Sequence, residues 1–242
     1  MKKVALVLRC FIAALWMHGA AFLGLVIYVL TLGLGLEWIR SAYLPFCSRV
    51  FLGIFGLNVR VMGLLPKTEQ PVVWICNHRS TLDIFVILSL GLPHTRYFLS
   101  DFLQRIPAFF IVGRLLKTFW TPAQTFPERR IQLFQRAADT LRLSRESVFL
   151  TPEGERIDSR LVGKFNKGAF HLAMDLRRPV APIFVDTPDD ISPGRSWRLR
   201  AGTVTVSFLE LIEAPQFHAD RLPVFIQEVR TVFLQRAMAQ LG

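Results

Sequence analysis

His78 and Asp83, in the run Asn77-His78-Arg79-Ser80-Thr81-Leu82-Asp83, are the residues of this chain best suited to chemistry. An imidazole takes up a proton near neutral pH, and a carboxylate on its other ring nitrogen fixes the tautomer and stabilises the charge gained. That is the pattern of a general base and its orienter. The same residues have a plainer reading. Ser80-Thr81-Leu82-Asp83 fits a capping box ahead of the apolar run 84–88, in which Asp83 only closes a helix N-terminus. Positions five apart lie about 140° from each other around a helix. A working pair therefore needs His78 in the turn before the helix and Asp83 in its first turn.

A second group of polar residues lies further on. Leu150-Thr151-Pro152-Glu153-Gly154-Glu155-Arg156 opens a loop after an apolar strand, and Lys164-Phe165-Asn166-Lys167-Gly168-Ala169-Phe170 follows. Loops at the carboxyl ends of strands are where α/β sheets place ligands. A carboxylate, a glycine and an arginine together suit a hydroxylated, phosphate-bearing ligand, and Lys164 and Lys167 add charge to the same pocket. Taken alone, the loop also reads as an ordinary solvated Pro-Gly turn. Cys76 suggests a rival chemistry: in an extended strand it points to the same side as His78, as a thiolate–imidazole pair would.

The elements that must hold these groups alternate in type. Strands are expected over 71–77, 97–100, 147–150, 179–185 and 203–209. Helices are expected over 81–90, 102–112, 127–143, 166–176 and 222–239. That order predicts an α/β fold with a mixed, partly parallel sheet flanked by helices. A polar loop is expected over 151–163, and 188–197 is the expected mobile loop. The chain carries no GxGxxG, P-loop or GxSxG motif, which removes the usual markers of nucleotide binding and serine hydrolysis.

Composition narrows the partners. The 242 residues are 52% hydrophobic with a formal net charge of +11, and the mean hydropathy is +0.37. No zinc-finger spacing, basic zipper or RNP-like strand supports nucleic-acid binding. Attraction to anionic headgroups and phosphate-bearing substrates accounts for charge and hydrophobicity together. Residues 10–36 hold no Asp, Glu, Lys or Arg, a run longer than the roughly 20 residues a membrane-spanning helix needs. A second apolar stretch, 41–57, is broken by Pro45 and Arg49. Lys2, Lys3 and Arg9 precede the first segment, and Arg40, Arg49, Arg60 and Lys67 follow it. Positive charge on both sides fits a hairpin returning to one leaflet, or helices lying in the interface, better than a single crossing. Cys10, Cys47 and Cys76 make neither metal-ligand spacing nor a disulfide framework.

Together the motifs resemble those of the glycerolipid acyltransferase family, which includes lysophosphatidic acid (1-acyl-glycerol-3-phosphate) acyltransferases. His78 to Asp83 looks like that family's His-x4-Asp block. Pro152-Glu153-Gly154-Glu155-Arg156 looks like its Pro-Glu-Gly-Thr-Arg block, with Glu155 in place of Thr. Phe165-Asn166-Lys167-Gly168-Ala169 and Pro179-Val180-Ala181-Pro182-Ile183 resemble two later blocks. The resemblance implies acyl transfer from acyl-CoA or acyl-carrier protein, as a donor substrate rather than a cofactor, to a lysolipid hydroxyl. His78 is then the base and Asp83 its orienter, with Glu153, Gly154 and Arg156 on the acceptor headgroup and no metal required. With the apolar N-terminus, the expected organisation is a membrane-associated helical segment over 1–58 and an α/β catalytic domain over 59–242. The expected location is the bacterial inner membrane, with the catalytic domain facing the cytoplasm.

One block departs from the family. After Gly113 the family has an apolar strand ending in Asp-Arg, whose arginine helps hold the acceptor's phosphate. Here the strand reads Lys117-Thr118-Phe119-Trp120-Thr121-Pro122, and Arg114, Arg129 and Arg130 are the candidate substitutes. Two other readings stay open with it. One is an acceptor without a terminal phosphate, such as a lyso-aminolipid. The other is a lipid-binding membrane protein that keeps the fold without turnover.

Overall fold

The structure is a computed structural model that describes residues 2–66, 68–156, 162–192, 199–215, 218 and 220–240. Lys67, the 157–161 part of the expected polar loop and the 193–197 part of the expected mobile loop lie outside the described residues. The elements in order are α1 (Lys2–Leu30), α2 (Leu36–Trp38), a π-helical turn (Ile39–Tyr43), α3 (Leu44–Ile54), β1 (Leu57–Met62), β2 (Val73–Cys76) and α4 (Asp83–Ser89). Then come β3 (Thr95–Ser100), a 3₁₀ turn (Asp101–Arg105), α5 (Pro107–Leu115), β4 (Phe119–Thr121), α6 (Pro127–Ser144) and β5 (Ser147–Leu150). The chain finishes with α7 (Gly168–Leu176), β6 (Val180–Asp186), β7 (Gly202–Phe208) and α8 (Arg221–Ala239).

Seven strands form one sheet in the order β1-β7-β6-β2-β5-β3-β4. Every neighbouring pair is parallel except β6 with β7. The expected mixed, partly parallel α/β sheet is present. β2 lies between β5 and β6, and all four of its residues are buried, as a central parallel strand requires. Its side chains alternate. Trp74 and Cys76 enter the core shared with α1, α3 and α4, while Val73 and Ile75 enter the core under α6, α7 and α8.

β1 has no counterpart among the strands expected from sequence. Leu57, Val59 and Val61 alternate as strand residues should, but they continue the apolar stretch 41–57 and were masked by it. β1 pairs in register with β7 from Leu57 opposite Gly202. The position between 58 and 59, read as a boundary, falls inside it. The second apolar stretch is α3 itself, which buries Leu44, Cys47, Phe51 and Leu52 and packs on α4. The helix expected over 102–112 instead begins as a 3₁₀ turn and becomes α-helical at Pro107, a residue favoured at a first helical position.

α1 buries mainly small residues, Ala13, Ala20 and Ala21, where it packs on α3 and α5. Val7, Phe11, Leu15, Phe22 and Leu30 stay exposed. Val4–Leu30 is long and apolar enough to cross a membrane, and only 17% of its most apolar window is buried, unlike the core helix of a soluble domain. The N-terminal helices are tied to the far end of the sheet by buried charge. Arg40 donates to Oε1 of Glu146 at 2.7 Å and to the Thr95 carbonyl at 2.6 Å, and Arg96 donates to Oε2 of Glu146 at 2.5 Å.

Candidate active site

The site starts where β2 runs out. Asn77 pins the strand end to β6 by donating to the Val185 carbonyl at 2.9 Å and accepting from the Val185 amide at 2.8 Å. The chain then turns, and α4 begins at Asp83. Oδ2 of Asp83 accepts three bonds: from the amides of Arg79 and Ser80, both at 2.9 Å, and from Nδ1 of His78 at 2.8 Å. Ser80 Oγ in turn accepts from the Leu82 amide at 3.1 Å. Asp83 thus ties the turn's amides and the imidazole together through one oxygen, while the expected capping box is not formed: Leu82 is the N-cap of α4 and makes no side-chain capping bond. With Nδ1–H given to Asp83, Nε2 is left as the unprotonated acceptor.

The Pro152–Arg156 loop, from the end of β5, meets this turn from below. Glu153 is buried, and its two oxygens accept from main-chain amides, Oε2 from His78 at 2.6 Å and Oε1 from Gly163 at 2.7 Å. Burial pushes its carboxyl above the usual carboxylate range, against the pull of those two amides. Gly154 follows with φ +71, and a Cβ there would fall 2.7 Å from Nδ2 of Asn166 and 3.2 Å from Nε2 of Gln124. Only glycine fits such a place. Arg156 donates from Nη1 to Oγ1 of Thr81, closing the contact between the two motifs.

A cavity of about 830 Å³ opens at His78. Its polar part is formed by His78, Thr81, Asp83, Thr151, Gly154 and Arg156, and its remaining wall is mainly apolar, with Phe51, Phe85, Phe98, Phe102 and Phe149. This lies within the size range of ligand pockets, and a few polar groups at one end of an apolar chamber suit an amphiphile. The aromatic wall was not legible as a site, although 21 Phe against 3 Tyr is a signal of a large unfunctionalised aromatic surface.

The residues expected at the site separate into two groups. His78, Asp83, Gly154 and Arg156 line the cavity, and Glu153 stands directly behind His78. Lys164 and Lys167 are exposed at the approach to α7, and Arg114 is exposed on the last turn of α5; none of the three lines the cavity. Cys76 is fully buried outside the cavity wall, and its Sγ donates to the Asn77 carbonyl at 2.9 Å. Burial, and then the charges of Asp83 and Glu153, push its thiol well above its ordinary range. A neutral buried thiol is a poor nucleophile.

Residues 58–186 match the family model described as Acyltransferase. The 1-acyl-sn-glycerol-3-phosphate acyltransferase of Saccharomyces cerevisiae is 24% identical over 229 residues, covering 92% of this chain and 74% of that one. The chloroplastic 1-acyl-sn-glycerol-3-phosphate acyltransferase LPAT1 of Arabidopsis thaliana is 29% identical over 180 residues, covering 73% of this chain. The match spans 48% of that relative's length. The crystal structure of the 1-acyl-sn-glycerophosphate (LPA) acyltransferase PlsC from Thermotoga maritima aligns with a TM-score of 0.74 at 21% identity. That alignment covers 100% of this chain and 98% of the other.

Proposed function

This chain belongs to the acyltransferase family, and we propose that it transfers a fatty acyl group from a thioester donor to the free hydroxyl of 1-acyl-glycerol-3-phosphate. The observation that carries the proposal is the His78 imidazole, held by Asp83 at 2.8 Å, at the polar end of an apolar cavity. The family and the names of its relatives support the reaction class and the acceptor.

The chemistry follows from the geometry. The acceptor hydroxyl enters near Nε2 with the acyl chain of the donor in the aromatic chamber. As the hydroxyl oxygen attacks the thioester carbonyl, its proton passes to Nε2, and the imidazolium formed is stabilised by Asp83. The tetrahedral adduct collapses with loss of the thiolate, which takes the proton from Nε2. A new ester and a free thiol result, with no covalent enzyme intermediate. Glu153 holds the His78 main chain so that the ring keeps its place, and Thr81 and Arg156 form the polar side of the acceptor pocket. Acyl-CoA and acyl-carrier protein both supply the required thioester.

By this reading the protein works at a membrane, with the exposed apolar side of α1 in lipid and the cavity mouth on the cytoplasmic side, where acyl thioesters are made. A helix that shows Phe and Leu outward and packs through Ala supports interfacial or embedded placement. Thiol release from acyl-CoA tests the function directly. It is expected to depend on added lysophosphatidate and to disappear in His78→Ala. Absence of release with either donor and any lysolipid would overturn the proposal.

A further inference from the structure

β2 ends between β5 and β6, and each neighbour sends a segment to the turn that follows it. From β5 comes Glu153, which holds the His78 amide. From β6, which ends at Asp186, comes the stretch 187–192. The two residues after His78 are fastened to it. Arg79 donates from Nη1 to the Thr187 carbonyl at 3.3 Å and from Nη2 to Oδ1 of Asp189 at 2.7 Å. Ser80 Oγ lies 2.9 Å from Ser192 Oγ, and both hydroxyls are buried. Together with Asn77 on Val185, these contacts zip the turn onto one continuous piece of chain.

The Pro, Gly, Ser and charge content of 188–197 predicts a mobile loop, but the described part of it is tied down. The Pro188 carbonyl accepts from the amides of Ile191 and Ser192 at 3.0 and 3.1 Å, and the Ile191 carbonyl accepts from the Arg200 amide at 2.9 Å. Ile191 is buried in the core shared with α3 and α4, and a Cβ on Gly202, where β7 begins, would overlap it. A segment locked by packing and main-chain bonds is a fixed support for a neighbouring reactive group.

Arg79 does not line the cavity, so its influence on the site passes through the main chain. Its amide donates to Oδ2 of Asp83, the same oxygen that takes Nδ1 of His78. Any shift of Arg79 therefore reaches the base and its orienter together. The two ends of the latch carry unequal weight. The Arg79 side chain is 13% exposed and that of Asp189 49%. Losing the inner cation costs more than losing a carboxylate screened by water. Arg79 Nε is buried with no partner among the described residues, so the grip rests on Nη1 and Nη2.

We propose that Arg79 is a positioning residue, which sets the His78–Asp83 pair by latching their turn to the 187–192 stretch through Thr187 and Asp189. This rests on the acyl-transfer reading for its turnover assay, so the test pairs turnover with a second readout. The full chain in detergent micelles is measured for kcat and KM with acyl-CoA and lysophosphatidate, and by NMR of histidine-labelled protein, with His78→Ala assigning the Nδ1 proton. Arg79→Met keeps the length of the side chain and removes both bonds. Its kcat is expected to fall roughly 10- to 100-fold, the scale of small misplacement at a reacting centre. KM should stay within about threefold, because no contact with substrate is lost. The His78 Nδ1 proton should shift or broaden in the same variant. Asp189→Ala should lower kcat by about three- to tenfold, and Asp189→Glu should recover most of that loss. The double variant Arg79→Met/Asp189→Ala should be no worse than Arg79→Met alone, as two members of one latch require. Asp175→Ala breaks the exposed Arg142–Asp175 pair of 3.0 Å and should change neither kcat nor the resonance. Wild-type kcat in Arg79→Met, a raised KM at constant kcat, or an equal loss from Asp175→Ala would overturn the assignment. If the unaltered chain transfers no acyl group, the resonance decides alone. A shift in Arg79→Met then upholds the latch while the acyl-transfer reading falls, and an unmoved resonance overturns the latch.

Discussion

The main-chain amide of His78 donates to Oε2 of Glu153 at 2.6 Å, across 75 residues of sequence. The carboxylate that the family resemblance assigns to the acceptor headgroup accepts from two main-chain amides, one of them on the proposed base. Its part in the site is therefore to hold His78 from behind.

Replacing it separates activity from stability. Glu153→Gln puts an NH₂ against one of two amide donors, and the resulting shift of His78 is expected to lower kcat by about 10²-fold, the effect of small misplacement at a reacting centre. Burial raises this carboxyl above its ordinary 4.5. The folded state thus holds the proton more tightly than the unfolded one. The stability from that preference is complete below pH 4.5 and is lost as pH rises through the raised value. Relative to wild type, Glu153→Gln should become more favourable as pH rises through that window, read from melting temperatures at several pH values. A constant difference across the window would contradict the account.

Glu146 has the opposite sign. Burial alone would raise its carboxyl, but hydrogen bonds from Arg40 and Arg96 outweigh it and lower the net value below 4.5. Its stability is present above pH 4.5 and fades as pH falls through the lowered value. Glu146→Gln leaves two inward arginines short of an anion, and is expected to cost about 3 kcal/mol at neutral pH. The gap from wild type should shrink in acid. Denaturant melts at pH 7 and below pH 4 measure both, and equal gaps would refute the assignment.

How much of this was readable beforehand depends on sequence distance. The His78–Asp83 contact is local, five residues apart, so the spacing reported it even though the capping box expected beside it is not formed. Glu153 on His78 and Arg79 on Asp189 are side-chain approaches that only the tertiary arrangement creates. β1 was hidden because a strand's alternation is short and the neighbouring apolar run is long. Lys164 and Lys167 looked like site residues because they follow the Glu153 loop, yet the turn into α7 leaves both exposed.

Cys76→Ala should keep transfer within about threefold of wild type, since its protonated thiol lies in the core beside Asn77. The loss of packing is expected to destabilise by about 1 kcal/mol. Loss of turnover in a folded Cys76→Ala protein would reinstate the thiol chemistry.

Phe51 and Phe85 stack with centroids 3.7 Å apart, and both line the large cavity and a smaller apolar one of about 40 Å³. With Met17 and Phe109, which also line both, they stand between the two. Phe85→Leu removes part of the divider and is expected to shift preference toward longer acyl chains, measured by competition among acyl-CoA donors of graded length. An unchanged chain-length profile would show that the chain does not end there.

Single-turnover acyl transfer by His78→Ala is the most direct test of the central claim. With saturating acyl-CoA and lysophosphatidate, the account predicts a rate roughly 10²- to 10⁴-fold below wild type, the usual contribution of a positioned base. Lysolipid affinity should be retained. A folded His78→Ala protein that transfers at the wild-type rate would contradict it.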